Sequence, residues 1–321
     1  MRFLITGGAG FLGSHLTDAL LQRGDEVTIL DAASDLKVRH QLKNPRFRYV
    51  RDSVLNREIL EGLTAWCDVV YHLAAVVGVE HYVGDPYQVL NVNVNGTQTV
   101  LNVAFKARKK VVFSSTSEVY GKSQSVPFSE DGDRLLGSTR IDRWCYSTSK
   151  AVGEHFCFAF HKLGLPVVVI RYFNVYGPRL DRMDVGRVMT IFMGQLMRGA
   201  PLTIIGNGEQ TRCFTYVDDA IRATVAAGLK EEAEGNIINI GSDEEISIKR
   251  LAEMMIRLYG SKSTITFVPQ ESIYGASYED IPRRVPDNRR MREVLGVVPR
   301  IPLEEGLKRT IEWFRAQGVE G

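Results

Sequence analysis

Short unbroken apolar runs alternate along this chain with longer stretches in which apolar residues recur every three or four positions. Arg2 to Thr6 predicts a buried strand. Phe11, Leu12, His15, Leu16, Ala19 and Leu20 then follow a helical period that Gly24 ends. Glu26 to Asp31 predicts the next strand, with others at Phe47 to Val50, Val69 to Leu73, Val111 to Ser115 and Val167 to Arg171. Val167-Val168-Val169-Ile170 shows no alternation, the pattern of a parallel strand covered on both faces. Helical stretches over Tyr87 to Arg108 and Ser147 to Leu163 supply the crossovers that parallel strands need. In the second, Val152, Phe156, Phe160 and Leu163 form an apolar stripe, core or dimer face.

Past Asn174 the elements shorten to a helix near Val188 to Arg198, a strand at Thr203 to Ile205 and a helix from Asp218 to Leu229. Ile237 to Ile240 predicts a strand returning to the first sheet, and no repeat or low-complexity linker divides the chain. The expected fold class is α/β: a Rossmann-type doubly wound parallel sheet with a smaller, interleaved C-terminal substrate domain. Residues 1–173 and 214–241 fall in the first domain, and 174–213 and 242–321 in the second.

The 321 residues, 44% of them hydrophobic, can bury a large core. Forty Lys and Arg against 38 Asp and Glu leave a net charge of +2, so no global field argues for nucleic acid or an acidic membrane. Cys67, Cys145, Cys157 and Cys213 lack CxxC spacing and read as reduced thiols of a cytoplasmic protein. No apolar stretch suits a signal peptide or membrane span, and the six histidines lack zinc-ligand spacing, so no metal is expected.

Between the first strand and helix, Gly7, Gly10 and Gly13 permit a tight turn and close approach of backbone to a pyrophosphate at a helix N-terminus. Asp31, ending the second strand, can accept hydrogen bonds from ribose hydroxyls and would repel a 2′-phosphate, which favours NAD over NADP. Asp52, ending the third strand, is a candidate for the adenine edge. Tyr146 and Lys150 lie one helical turn apart and can converge on one ligand. Lowering a tyrosine pKa by about 3 units needs roughly 4 kcal/mol. A positive charge at about 4 Å supplies that order, and both Lys150 and oxidised nicotinamide carry one. Tyr146 can thus act as a base on a sugar hydroxyl that Thr116 also binds.

In this order, TGGAGFLG, His72-Leu73-Ala74-Ala75, Asn91-Val92-Asn93, STSEVYG, YSTSK, RYFNVYGPR and GNGEQTRCFTYVDDA make the chain resemble the extended short-chain dehydrogenase/reductases acting on nucleotide-sugars. The resemblance spans nearly the whole chain. It implies that Gly7, Gly10, Phe11, Leu12, Gly13, Asp31, Asp52, Ser53, Leu73, Ala74, Ala75, Asn93, Ser114, Tyr146, Lys150 and Tyr172 serve NAD. It further implies a UDP- or dTDP-linked sugar, UDP favoured, and a homodimer built on the two long helices. Asn174, Arg179, Arg187 and Arg212 are implied on the substrate side, with the arginines suited to a diphosphate.

All these enzymes share oxidation at C4 and differ in the next step. The 4,6-dehydratases carry Asp-Glu after the threonine; Ser117 is too weak an acid to replace that Asp. The 4-epimerases need no carboxylate there, which leaves Glu118 unexplained. Thr116-Ser117-Glu118 is instead similar to the UDP-glucuronate decarboxylases, where the Glu helps proton handling and an arginine before Pro-Asp acts near C5. Arg284 matches that arginine, although Arg283 stands beside it. The resemblance implies decarboxylation of UDP-glucuronate to UDP-xylose or its 4-keto form, with UDP-sugar 4-epimerisation and an NAD-binding sensor as alternatives.

Overall fold

Residues 1–34, 36–180, 183, 186–269 and 281–317 are described by a computed structural model. Strands β1 (Arg2–Thr6), β2 (Glu26–Asp31), β3 (Phe47–Arg51), β4 (Val69–His72), β5 (Lys110–Thr116) and β6 (Val167–Tyr172) join the strand Ile237–Ile240 in one sheet. Its order runs Ile237–Ile240, β6, β5, β4, β1, β2, β3, and every pairing is parallel. The chain winds outward from β1 through β2 and β3, then restarts at β4 on the other side. The reversal opens a crevice at the carboxyl ends of β1 and β4, the switch point where such sheets bind ligands.

The two faces of the sheet separate by alternation. Phe3, Ile5, Val27, Ile29, Tyr71, Val112 and Val168 join one buried cluster with α1 (Phe11–Gln22) and the helix Val217–Leu229. Leu4, Leu30, Val70, Val111, Phe113, Val167 and Val169 join the other, beneath the helices Arg57–Trp66, Thr97–Ala107 and Arg143–Lys162. The central strands carry runs of adjacent apolar residues because both sides are covered. Phe156 and Phe160 pack against the second cluster, whereas Leu163 is exposed.

Two helices differ from their sequence reading. The Tyr87 to Arg108 stretch is three pieces: Pro86–Leu90, a π-helical turn Asn91–Gly96, and Thr97–Ala107. The helix expected from Ser147 starts at Arg143, because Trp144 and Tyr146 are buried and extend its packed face by a turn. After β6 the chain makes short pairings: Val175–Tyr176 with Thr215–Tyr216, and Leu202–Ile205 with Ile265–Val268. Thr211–Cys213 lies between Glu245–Ser247 and Arg283–Arg284. This last small sheet faces the crevice and carries two of its arginines. Among the described residues no helix is long and apolar enough to cross a membrane.

Candidate active site

A cleft of about 1000 Å³ runs from the glycine turn, past the carboxyl ends of β4 and β5, to the small sheet. Gly7 has φ +75°, and a Cβ there would stand 2.6 Å from the Ala74 backbone nitrogen. A Cβ on Gly13 would stand 2.2 Å from the Gly7 carbonyl oxygen, so α1 packs against the turn only without a side chain. At Gly10 a Cβ would meet nothing nearer than the Gly7 oxygen at 3.2 Å, which leaves that side open to a ligand. No side chain caps α1, and its first residues Phe11, Leu12 and Gly13 line the cleft. Their N–H groups are a ready anion site.

Asp31 accepts hydrogen bonds from Ala9 N and Ala33 N, both at 2.8 Å, so it braces the glycine turn while facing the cleft. Each carboxylate oxygen retains acceptor capacity for a ribose hydroxyl. Asp52 and Ser53 also line the cleft, with Asp52 accepting from Ser53 N and Asn56 Nδ2. Leu73, Ala74, Ala75, Ser114 and Tyr172 complete this wall. An open backbone cradle, an uncapped helix start and a strand-end carboxylate fit an NAD pyrophosphate and adenosine ribose.

Asn93 is placed differently from its sequence reading. It is buried in the π-helical turn, outside the cleft lining, and its side chain bonds Val76 N, Val76 O and Ser149 Oγ. It therefore holds the loop after β4 from outside the cleft lining.

Thr116 ends β5, and its hydroxyl accepts from Glu118 N at 3.2 Å. That bond folds Ser117–Tyr120 into a single turn and points Glu118 into the cleft. Tyr146 hydrogen-bonds Thr116, and its ring stacks on Tyr82 at 4.8 Å with 10° between planes. Lys150 donates to Ser114 O at 2.8 Å and sits 5.0 Å from the Phe113 ring.

The electrostatics depart from the sequence argument. Burial first, then the Glu118 carboxylate, push Tyr146 above its ordinary range, against smaller pulls from Arg187 and the Thr116 hydrogen bond. Burial lowers Lys150 to about 8. The chain alone thus keeps the proton on Tyr146.

Lys150 also yields a stability prediction. Its folded value lies below the unfolded one, so charging it is penalised wherever the unfolded chain holds the proton: fully below about 8, and no longer above 10.5. The shift corresponds to about 3 kcal/mol, less about 1 kcal/mol for the lost bond to Ser114 O. Lys150→Met should therefore raise the melting temperature at pH 7, with the advantage shrinking as pH rises past about 8. Calorimetry at pH 7 and pH 9 checks this; a variant that melts lower at pH 7 would contradict it.

The small sheet settles which arginine faces inward. Arg284 pairs in register with Arg212, and both line the cleft. Arg283, one residue earlier and on the opposite face, pairs with Glu245 at 2.8 Å in solvent. Arg284 Nη1 lies 3.9 Å from Glu118 Oε1 and 3.5 Å from Ser117 Oγ. Glu118 Oε2 is buried and has no hydrogen-bond partner among the described residues, and leaving such an oxygen unsatisfied costs about 1–3 kcal/mol. A substrate hydroxyl or water would satisfy it.

Asn174 and Arg187 also line the cleft. Asn174 donates to Cys213 O at 2.9 Å, tying the end of β6 to the small sheet. Arg187 sits 5.9 Å from the Phe11 ring, beside the glycine turn. Arg179 does not reach the cleft. Its guanidinium pairs with Asp18 at 2.7 Å and donates to His15 Nδ1 and Lys37 O. The positive φ of 62° at Arg179 turns it toward the Asp18 carboxylate.

Arg143 and Tyr82 are among the cleft residues that escape the sequence reading. Arg143 lines the wall as a buried residue, and its position three before Tyr146 on one helix was an available signal. Tyr82 comes from a loop helix, Val79–Gly84, whose sequence carries no spacing that points to Tyr146.

Residues 3–241 match the NAD dependent epimerase/dehydratase family, and the chain belongs to it. It is an enzyme that uses NAD. It is 44% identical over 315 residues to UDP-N-acetyl-alpha-D-glucosaminuronate decarboxylase of Bacillus cytotoxicus, covering 98% of both chains. It is 38% identical to UDP-glucuronic acid decarboxylase 1 of Xenopus tropicalis, over 98% of this chain and 72% of that one. UDP-glucuronic acid 4-epimerase from Bacillus cereus, solved with UDP-glucuronic acid and NAD, superposes with a TM-score of 0.88. It shares 34% identity and covers 99% of this chain and 100% of that one.

Proposed function

We propose that this enzyme decarboxylates a UDP-linked hexuronate, UDP-glucuronate in the first instance, through a 4-keto intermediate to UDP-xylose or the UDP-4-keto-pentose. The Glu118–Arg284 pair, 3.9 Å apart beside Tyr146, carries this reading. Residues 1–173 and 214–241 hold NAD, and 174–213 and 242–321 hold the nucleotide-sugar. Bound NAD would supply the acceptor for the C4 hydride, the source of that hydride where UDP-xylose is the product, and a positive charge near Tyr146.

Tyr146, aligned by Thr116, takes the proton of the C4 hydroxyl. In the resulting β-keto acid the C5–C6 bond breaks, carbon dioxide leaves, and the bonding pair moves onto the C4 oxygen as an enolate. Tyr146 and Thr116 face that oxygen, and the unpartnered Glu118 Oε2 handles the proton delivered to C5. Arg284 fixes Glu118 and faces the departing carboxylate. Arg212 and Arg187 are placed for phosphate oxygens. Ser117 supplies no acid for expelling a C6 hydroxyl.

Glu118→Gln should lower carbon dioxide release from UDP-glucuronate by roughly 10²-fold, with NAD affinity unchanged. Retained release with the Gln variant would remove Glu118 from the chemistry. The 2-acetamido substrate is the second reading, favoured by the 44% identity to the Bacillus enzyme. The UDP-glucuronate 4-epimerase neighbour makes isomerisation to UDP-galacturonate the alternative outcome. Exposed Tyr87 and Leu90, with Phe105 and Leu163 on and just beyond the neighbouring helices, support a homodimer through this face.

A further inference from the structure

Asn239, in the strand Ile237–Ile240, is wholly buried and lies outside the cleft lining. Its backbone N donates to Glu130 Oε1 at 2.9 Å, and its Nδ2 donates to Phe128 O at 2.8 Å and Asp287 O at 3.1 Å. Its Oδ1 accepts from the Tyr120 hydroxyl at 2.8 Å. Two of these partners adjoin the reacting pair. Tyr120 ends the turn that carries Glu118, and Asp287 lies three residues beyond Arg284. The backbone repeats the link, since Phe128 N donates to Val285 O at 2.8 Å and Asp287 N to Phe128 O at 3.0 Å.

We propose that Asn239 is a positioning residue for decarboxylation, holding the Glu118 turn and the Arg284 strand in the register that sets their separation. The inference rests on the decarboxylase reading. Lys150 and Tyr146 are held by β5 and the helix Arg143–Lys162 and make no bond to Asn239. Losing the amide therefore spares C4 oxidation and strikes the step after it.

Asn239→Ala, with NAD and UDP-glucuronate, tests this by following NADH absorbance and carbon dioxide release per folded molecule, the folded fraction taken from circular dichroism. Carbon dioxide release should fall by about tenfold or more while KM and the rate of NADH appearance stay within about twofold, so NADH accumulates. Tyr120→Phe, which removes the hydroxyl and its bonds to Asn239 Oδ1 and Arg171, should shift the same partition by a smaller factor. It decides the matter if the alanine variant does not fold. Oxidation and carbon dioxide release falling together, or neither changing, overturns the inference. A wild-type run separates the two levels. No carbon dioxide from the wild type rejects the decarboxylase reading and this inference with it, whereas wild-type release with an unchanged partition in the variants rejects the role of Asn239 alone.

Discussion

Tyr146→Phe should reduce turnover by about 10³-fold or more while leaving NAD affinity nearly unchanged. Removing one oxygen deletes the hydrogen bond to Thr116 and the hydroxyl proposed to take the C4 proton. The ring is retained, so the stack on Tyr82 at 4.8 Å and the buried packing survive. The effect therefore falls on the chemistry and not on the fold. Thr116 cannot substitute, since its hydroxyl is a far weaker acid than a phenol and already accepts from Glu118 N. Measuring kcat alongside an NAD titration checks both halves. Turnover within tenfold of wild type would remove Tyr146 from the proton transfer.

The second large effect is structural. Glu154, buried in the helix Arg143–Lys162, accepts from Arg171 Nε at 2.8 Å and Nη2 at 2.6 Å, and from Ser115 Oγ at 2.5 Å. Arg171, equally buried on β6, also donates to Glu130 O and lies 4.7 Å from the Tyr120 ring. Glu154→Ala strands a guanidinium without its counter-charge and should cost about 3–5 kcal/mol. Replacing both partners by Met removes the charge as well as the pairing, so the double variant should recover most of that loss. Urea denaturation of the single and double variants is the check. A single-variant loss below about 1 kcal/mol would mean that water or Glu130 compensates the charge.

Much of the frame was legible because periodicity reports burial. Every main-sheet strand was read within one or two residues of its place, since strands covered on both faces carry short runs of adjacent apolar residues. The match to the epimerase/dehydratase family and the relatives named as decarboxylases agree with the resemblance drawn from the motifs. What the chain does not print is direction. Arg179 carries the charge expected of a phosphate ligand, yet it has a positive φ and its guanidinium is paired with Asp18 outside the cleft lining. Arg283 and Arg284 look interchangeable until a two-residue strand assigns them opposite faces. Asn93 has the chemistry of a ligand contact, but it lies in a π-turn and bonds Val76. Tyr146 shows a related limit: one can count the positive charges near it, but not see that burial and Glu118 outweigh them in the chain alone.

The central claim is that Glu118 and Arg284 direct a 4-keto hexuronate to lose its carboxylate. Mass spectrometry of the products from UDP-glucuronate and from its 2-acetamido counterpart, each incubated with NAD, tests it most directly. The prediction is a UDP-pentose or UDP-4-keto-pentose, lighter than the substrate by one carboxylate carbon released as carbon dioxide. A sole product of unchanged mass with inverted C4, UDP-galacturonate from UDP-glucuronate, would contradict it.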